Sequence, residues 1–319
     1  MKRRSAQLAV VSIFVLVTGD WLVGAGLSRL SEDILTGERS GGQARLAIER
    51  RHAQIIAFGS SRTRRHIAPV VLERRLSRSA HNAGCDGQGI AYARAVQSLV
   101  HRRGGRPELV LLDLNPADLW IDSRARTHVL APWFGATPAV DDALGASDPL
   151  VAATLASRAY RFNSSALPII RRSWVSEPPS DGFAPLPRAL VTTSAEVTEA
   201  SLPFESEAFG LYEAFVLDAQ HHGSVVVFFI SPVAGPMNAR ERAGLARLEA
   251  LSARLDVTVV DFSSRVHPAF SEAASFHDRV HLAENGALRL TELLAETLTD
   301  ILPPAHAGLR GAEPERPSS

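Results

Sequence analysis

An apolar run at residues 54–58 stops abruptly at Gly59-Ser60-Ser61-Arg62, and a helix-compatible segment follows it. This is how a buried strand delivers a small hydroxyl residue to the rim of a parallel sheet. The same alternation recurs along the chain. The first helix starts near Pro69, a good first-turn residue, and carries Val70, Val71, Leu72 and Leu76. A short second strand runs into His81-Asn82-Ala83-Gly84-Cys85-Asp86-Gly87. It is followed by a helix over about 89–103 with Ile90, Ala93, Val96, Leu99 and Val100 on one face. Residues 108–114 form a continuous apolar run of the kind found in central parallel strands.

Between about 116 and 201 the periodicity weakens, and prolines and short apolar pieces dominate. This predicts an insertion of irregular structure, a lid or a wall of a binding site. Regular alternation resumes with a helix over 204–221, a strand over 224–230, a helix over 238–255, a strand over 257–262 and a last amphipathic helix over 286–301. Strands alternating with helices predict a three-layer α/β/α sandwich around a parallel sheet. Ligands of such sheets bind beyond the carboxyl ends of the strands. Gly59-Ser60-Ser61, 82–87 and Asn115 all fall at such ends.

The N-terminus adds a second constraint. Lys2-Arg3-Arg4 precedes an apolar stretch over 6–27, interrupted by Asp20 beside Trp21. About 20 apolar residues suffice to cross a bilayer. The positive flank predicts a cytoplasmic N-terminus with the remainder exported. An uncleaved signal anchor is favoured over a cleaved signal peptide, because the apolar stretch is long and Gly24-Ala25-Gly26 is a poor cleavage site. The expected organisation is a membrane anchor at 1–28, a polar juxtamembrane linker with some helix at 29–52 and an α/β domain at 53–302 with its insertion. A disordered Pro/Gly-rich tail at 303–319 completes it.

Charge argues against several partners. Lys+Arg and Asp+Glu each number 34, so no global field draws the chain to nucleic acid or to an acidic membrane surface. Lys2 is the only lysine, which reads as genome composition rather than an RNA-binding signal. Cys85 is the only cysteine, so neither an intramolecular disulfide nor a cysteine metal cluster is available. His66, His81, His221 and His222 are scattered without metal-ligand spacing. With no phosphate-binding loop and no complete dinucleotide fingerprint, no cofactor and no metal are expected.

A serine hydroxyl becomes a nucleophile only with a histidine base, an acid that orients the histidine, and donors for the developing oxyanion. Ser60 or Ser61 stands at the tip of the first strand. His281 has Asp278 three residues earlier on the same short segment, within reach of Nδ1 while Nε2 faces the serine. Gly87 can present its N–H without a side chain in the way. Arg62 is a candidate for an anionic substrate group or for a nearby carboxylate, and Asn82 for tying its loop together. Trp120, Trp133 and Trp174 are read as core residues that, if exposed, can stack on sugar rings.

The order of these pieces resembles the SGNH (GDSL-like) hydrolase superfamily, in its membrane-anchored branches with a Gly-Ser-Ser first block. The resemblance spans about 54–298. It rests on Gly59-Ser60-Ser61, on Asn82-Ala83-Gly84-Cys85-Asp86-Gly87, and on Asp278-Arg279-Val280-His281 followed by a helix. It implies the flavodoxin-like fold of that superfamily, with Ser61 as nucleophile, His281 as base, Asp278 as orienting acid and Gly87 as an oxyanion donor. The third block departs from the pattern: Leu114-Asn115-Pro116-Ala117-Asp118 stands where a Gly-x-Asn-Asp turn is usual, which leaves Asn115 as the second oxyanion donor. The implied function is an extracytoplasmic, periplasmic-side serine esterase or O-acyltransferase. Its implied substrate is an acylated carbohydrate or other ester, in contact with envelope polysaccharide machinery. A non-catalytic binding or assembly module in polysaccharide export is the second reading, motivated by that third block.

Overall fold

The computed structural model describes residues 2–32, 41–122, 124–174, 180–188, 206–264 and 266–302. The expected tail at 303–319 and parts of the expected insertion (175–179 and 189–201) lie outside the described residues.

Five strands form one parallel sheet: β1 (Ile55–Phe58), β2 (Ala80–Asn82), β3 (Leu109–Asp113), β4 (Val225–Ile230) and β5 (Thr258–Asp261), in the order β2-β1-β3-β4-β5. In register, Ile55 pairs with both Ala80 and Leu109, Leu111 with Val227, and Phe229 with Val260. The helices in chain order are α1 (Lys2–Glu32), α2 (Gly42–Glu49), α3 (Ser61–His66), α4 (Pro69–Leu76), α5 (Ile90–Arg102), α6 (Pro138–Ala143), α7 (Pro149–Ala156), α8 (Ala166–Arg172), α9 (Ser206–His221), α10 (Ala239–Arg254) and α11 (Glu284–Ile301).

The pleat sorts successive residues to opposite faces of the sheet. Ile56, Phe58, Val110, Leu112 and Phe228 pack with α2, α5, α9 and α10 in one core. Ile55, Ala57, Leu109, Leu111, Val227 and Phe229 pack with α4 and α11 in the other. A sheet buried on both faces explains why β1 and β3 read as unbroken apolar runs. Local signals set the helix starts. Pro69 opens α4, and Asn238 and Glu241 close a reciprocal capping box on α10.

The stretch expected to be a polar linker with some helix over 29–52 does contain a helix, and it is packed. Ala44, Leu46, Ala47 and Ile48 of α2 are buried, and α1 continues to Glu32. Two expectations change. Where described, the insertion carries short helices between irregular stretches such as 180–188. α6 and α7 each begin with proline behind a side-chain cap, Thr137 and Asp148. Two helices, not one, follow β1, and the extra α3 carries the serine.

α1 is long and apolar enough to cross a membrane: the most apolar 18 residues within Arg4–Ser31 have a mean hydropathy of 2.0, and 6% of them are buried. The strand order reverses between β1 and β3, and such a reversal opens a crevice at the carboxyl edge of the sheet. The loops after β1, β2 and β3 meet there.

Candidate active site

The turn after β1 is built for a serine. Gly59 has φ of +144°, and a Cβ there would collide with the Thr63 hydroxyl. Thr63 Oγ1 donates to Phe58 O at 3.0 Å and locks the turn from below. Ser60 is the N-cap of α3, its Oγ accepting from the Arg62 amide at 3.3 Å. Ser61 is the first helical residue, so no preceding helical carbonyl takes up its amide.

Ser61 Oγ lies 2.8 Å from His281 Nε2, and His281 Nδ1 lies 2.8 Å from Asp278 Oδ2. The other Asp278 oxygen accepts from the amides of Val280 at 2.8 Å and His281 at 2.9 Å, fixing the carboxylate on the loop it serves. Burial opposes the charged form of Asp278, but the imidazole and these amides outweigh it, and its pKa is lowered. An ionised carboxylate holds the proton on Nδ1 and leaves Nε2 free to accept from the serine. Of the two serines at the tip, the structure brings Ser61, not Ser60, to the histidine.

Compared with known proteins, the sequence matches no family model and no curated protein. The reading of the site therefore rests on its own geometry.

Ser61 opens onto a cavity of about 390 Å³ lined in part by Gly87, Asn115, Trp120, Arg126, Glu241 and Val280. Gly87 has φ of +71°, a conformation that glycine favours, and a Cβ there would collide with the Arg126 guanidinium. No hydrogen bond engages the Gly87 amide among the described residues. Asn115 also lines the cavity, but its side chain is drawn into the floor. Oδ1 accepts from Ala117 N at 3.3 Å and from Arg62 Nη1 at 3.4 Å, while Nδ2 donates to Asp118 Oδ1 at 3.4 Å. The Asn115 amide expected at an oxyanion is turned toward Asp118.

Arg62, expected at an anionic substrate group or a carboxylate, takes the carboxylate. Its Nε lies 3.0 Å from Asp113 Oδ2, and Nη2 donates to Asp113 Oδ1 and Ser231 O, both at 3.1 Å. Both partners are buried. Beneath them Asp118 accepts from Tyr212 Oη at 2.9 Å. Burial raises its pKa to about 7, Tyr212 pulling against the shift and Asp113 adding to it.

Several positioning groups escaped the sequence reading. His66 is fully buried. Its Nε2 accepts from Leu282 N at 2.9 Å and its Nδ1 lies 3.1 Å from Ser231 Oγ, so α3 is fastened directly to the residue after His281. Desolvation, helped by Arg62 and His281, holds His66 well below its usual pKa, so the ring is neutral and able to accept that amide. Arg279 forms a two-bond fork to Glu241 at 2.8 and 2.7 Å, tying the histidine loop to the start of α10. Residues 180–188 strap the assembly together. Asn82 N donates to Asp181 O at 2.9 Å, Ala184 N to Arg64 O at 3.1 Å, and Glu284 N to Leu186 O at 2.9 Å. His277 Nδ1 lies 2.6 Å from Pro187 O on the same strap. Asn82 ties its loop as expected, donating to Thr63 O at 2.8 Å and Ile67 O at 2.7 Å.

The histidines are less scattered than their spacing suggests. His101, Asp218 and His222 bring donor atoms within 4.8 Å of one another at the C-terminal turns of α5 and α9, a set able to hold a metal ion. The three also engage one another: His101 Nδ1 lies 3.2 Å from Asp218 Oδ2, and His222 Nδ1 lies 2.8 Å from the Asp218 carbonyl. Of the tryptophans, Trp120 lines the cavity, Trp133 packs on the core, and Trp174 is exposed.

Proposed function

We propose that this protein is a serine esterase or O-acyltransferase of the SGNH type, anchored by α1. The observation that carries the reading is the unbroken relay Ser61–His281–Asp278, with 2.8 Å at each step. Ser61 Oγ attacks the acyl carbonyl of an ester while its proton passes to His281 Nε2. Asp278 stays ionised and stabilises the imidazolium. The amides of Ser61 and Gly87 receive the oxyanion. Collapse expels the alcohol, which takes the proton back from Nε2 and leaves Ser61 acylated. Water attacking that acyl group gives hydrolysis, and a sugar hydroxyl gives transfer.

Lys2-Arg3-Arg4 on the N-terminal flank of α1 favours an extracytoplasmic domain. On that side, acylated envelope polysaccharides are the abundant ester substrates we assign to it. The engagement of Asn115 with Asp118 favours the second reading, a non-catalytic module of polysaccharide export that retains the fold.

A fluorophosphonate probe separates the two. Labelling of the wild type that disappears in Ser61→Ala at an unchanged melting temperature supports the enzyme, as does a parallel loss of p-nitrophenyl acetate hydrolysis. Ser61→Ala protein that still hydrolyses the ester at the wild-type rate, or wild type that neither labels nor hydrolyses, overturns it.

A further inference from the structure

Among the described residues outside α1, the three most exposed large apolar side chains are Trp174 (85%), Leu167 (79%) and Leu150 (77%). All three belong to one segment, residues 149–174. Leu167 and Ile170 on α8 and Trp174 just past it are spaced i, i+3, i+7, so they share one face. The segment contains Arg158, Arg161, Arg171 and Arg172 and no Asp or Glu. Exposed apolar residues on a basic segment mark a peptide that lies in a lipid interface.

The same segment is fastened to α1. Asp20, the one carboxylate inside the apolar stretch, accepts from Arg158 N at 2.8 Å and Ala159 N at 3.1 Å, and from the Ser157 hydroxyl. One turn on, Gly24 is buried, and a Cβ there would collide with Arg158. The Arg158 guanidinium lies 5.6 Å above the Trp21 ring, and α1 also touches α8. These contacts fix the height of the segment. At ~1.5 Å per residue Asp20 lies about 24 Å along the helix from Arg4, less than the ~30 Å thickness of the hydrocarbon core. With Arg4 at one headgroup layer, Asp20 stands at or just inside the opposite one, and so does whatever is bound to it.

We infer that residues 149–174 form a membrane-contacting platform. Leu150, Leu167, Ile170 and Trp174 enter the boundary of the acyl chains, and the basic segment lies at the level of anionic lipid headgroups. The inference rests on reading α1 as a membrane span. The platform reaches the candidate active site through a short path. The cavity wall at Trp120 and Arg126 continues into the 3-10 turn Thr127–Trp133, which packs against the 3-10 turn Tyr160–Phe162 of the platform. The wall of the cavity is thus joined directly to the platform.

The test uses the full chain in vesicles of phosphatidylethanolamine and phosphatidylglycerol, with an environment-sensitive fluorophore on single introduced cysteines. Native Cys85 does not compete: it is buried, and desolvation pushes its thiol up to about 12. Nitroxides on the lipid chains are expected to remove most of the emission at Leu167→Cys and Trp174→Cys, and none at Leu217→Cys on α9. Val15→Cys reports the anchor separately. Quenching at Val15→Cys with none at Leu167→Cys or Trp174→Cys overturns the platform and leaves the span standing. Absence of quenching at Val15→Cys overturns the span itself. Replacing phosphatidylglycerol by phosphatidylcholine is expected to weaken quenching at Trp174→Cys without changing Val15→Cys, and an unchanged Trp174→Cys signal overturns the assignment of anionic headgroups. Asp20→Ala is expected to reduce quenching at Leu167→Cys, and an unchanged signal there overturns the role of Asp20 as the fastening.

Discussion

Arg62→Met removes one half of a buried charge pair and leaves the Asp113 carboxylate with the Ser231 amide, 3.2 Å away, as its remaining partner. Deleting one member of such a pair costs ~3–5 kcal/mol, because the survivor stays buried and uncompensated. For a domain of this size ~1 kcal/mol shifts the melting temperature by about 2–4 °C, so a fall of about 6–20 °C is expected. The deficit depends on pH. Burial already raises the Asp113 pKa, with Arg62 and Ser231 pulling against it, and removing Arg62 raises it further. A carboxyl whose folded pKa exceeds its unfolded value contributes stability that is present at low pH and lost as pH rises. Arg62→Met is therefore expected to melt closer to the wild type at pH 5 than at pH 8. Each unit of additional shift adds ~1.4 kcal/mol to the difference. Arg62→Met/Asp113→Asn, which removes the stranded charge, is expected to recover most of the loss. Melting curves in detergent at the two pH values read this directly. A melting temperature within ~2 °C of wild type at both pH values, accompanied by a raised KM, refutes the ion-pair account and returns Arg62 to the substrate.

Other perturbations probe different parts of the same frame. Gly182 has φ of +92°, and a Cβ there would collide with the Asn82 carbonyl. Gly182→Ala is expected to cost ~1–3 kcal/mol and to lift the strap from the histidine loop, seen as faster hydrogen exchange over 276–284; unchanged exchange contradicts the strap. Asp118, at about 7 against 3.8 unperturbed, drains up to ~4 kcal/mol of stability as pH rises from about 4 to 8. Asp118→Asn is expected to flatten the melting temperature over that range, and an unchanged slope contradicts the assignment. Asp278→Asn leaves the fold intact but removes the ionised partner of Nδ1. A loss of ~10³–10⁴ in kcat is expected, and wild-type turnover in this variant contradicts the relay.

What the sequence made legible was local or periodic. β1, β3 and β4 stand out because a sheet covered on both faces demands continuous apolar runs. Asp278 and His281 stand out because three residues on one loop bring a carboxylate to an imidazole. The packing of α2 escaped because its eight residues mix Arg45 and Gln43 among the buried positions, and propensity over so short a window decides nothing. The insertion looked irregular because its helices are short, six to eight residues each, and two of them are begun by proline. The partners of Arg62 lay 51 and 169 residues away, and His66 meets Leu282 across 216. Contacts of that separation are created by the strand order, which no local pattern encodes. The same holds for His101, Asp218 and His222, brought together where α5 and α9 end.

Ser61 and His281 are separated by 220 residues, and their hydrogen bond joins the first helix after β1 to the loop before the last helix. A chain that emerges N-terminus first therefore exposes its hydroxyl long before the imidazole exists to activate it. On the proposed reading, the hydroxyl stays inert through synthesis. Turnover would begin only when α11 docks and His66 captures the amide of Leu282, so completion of folding would itself be the activating event.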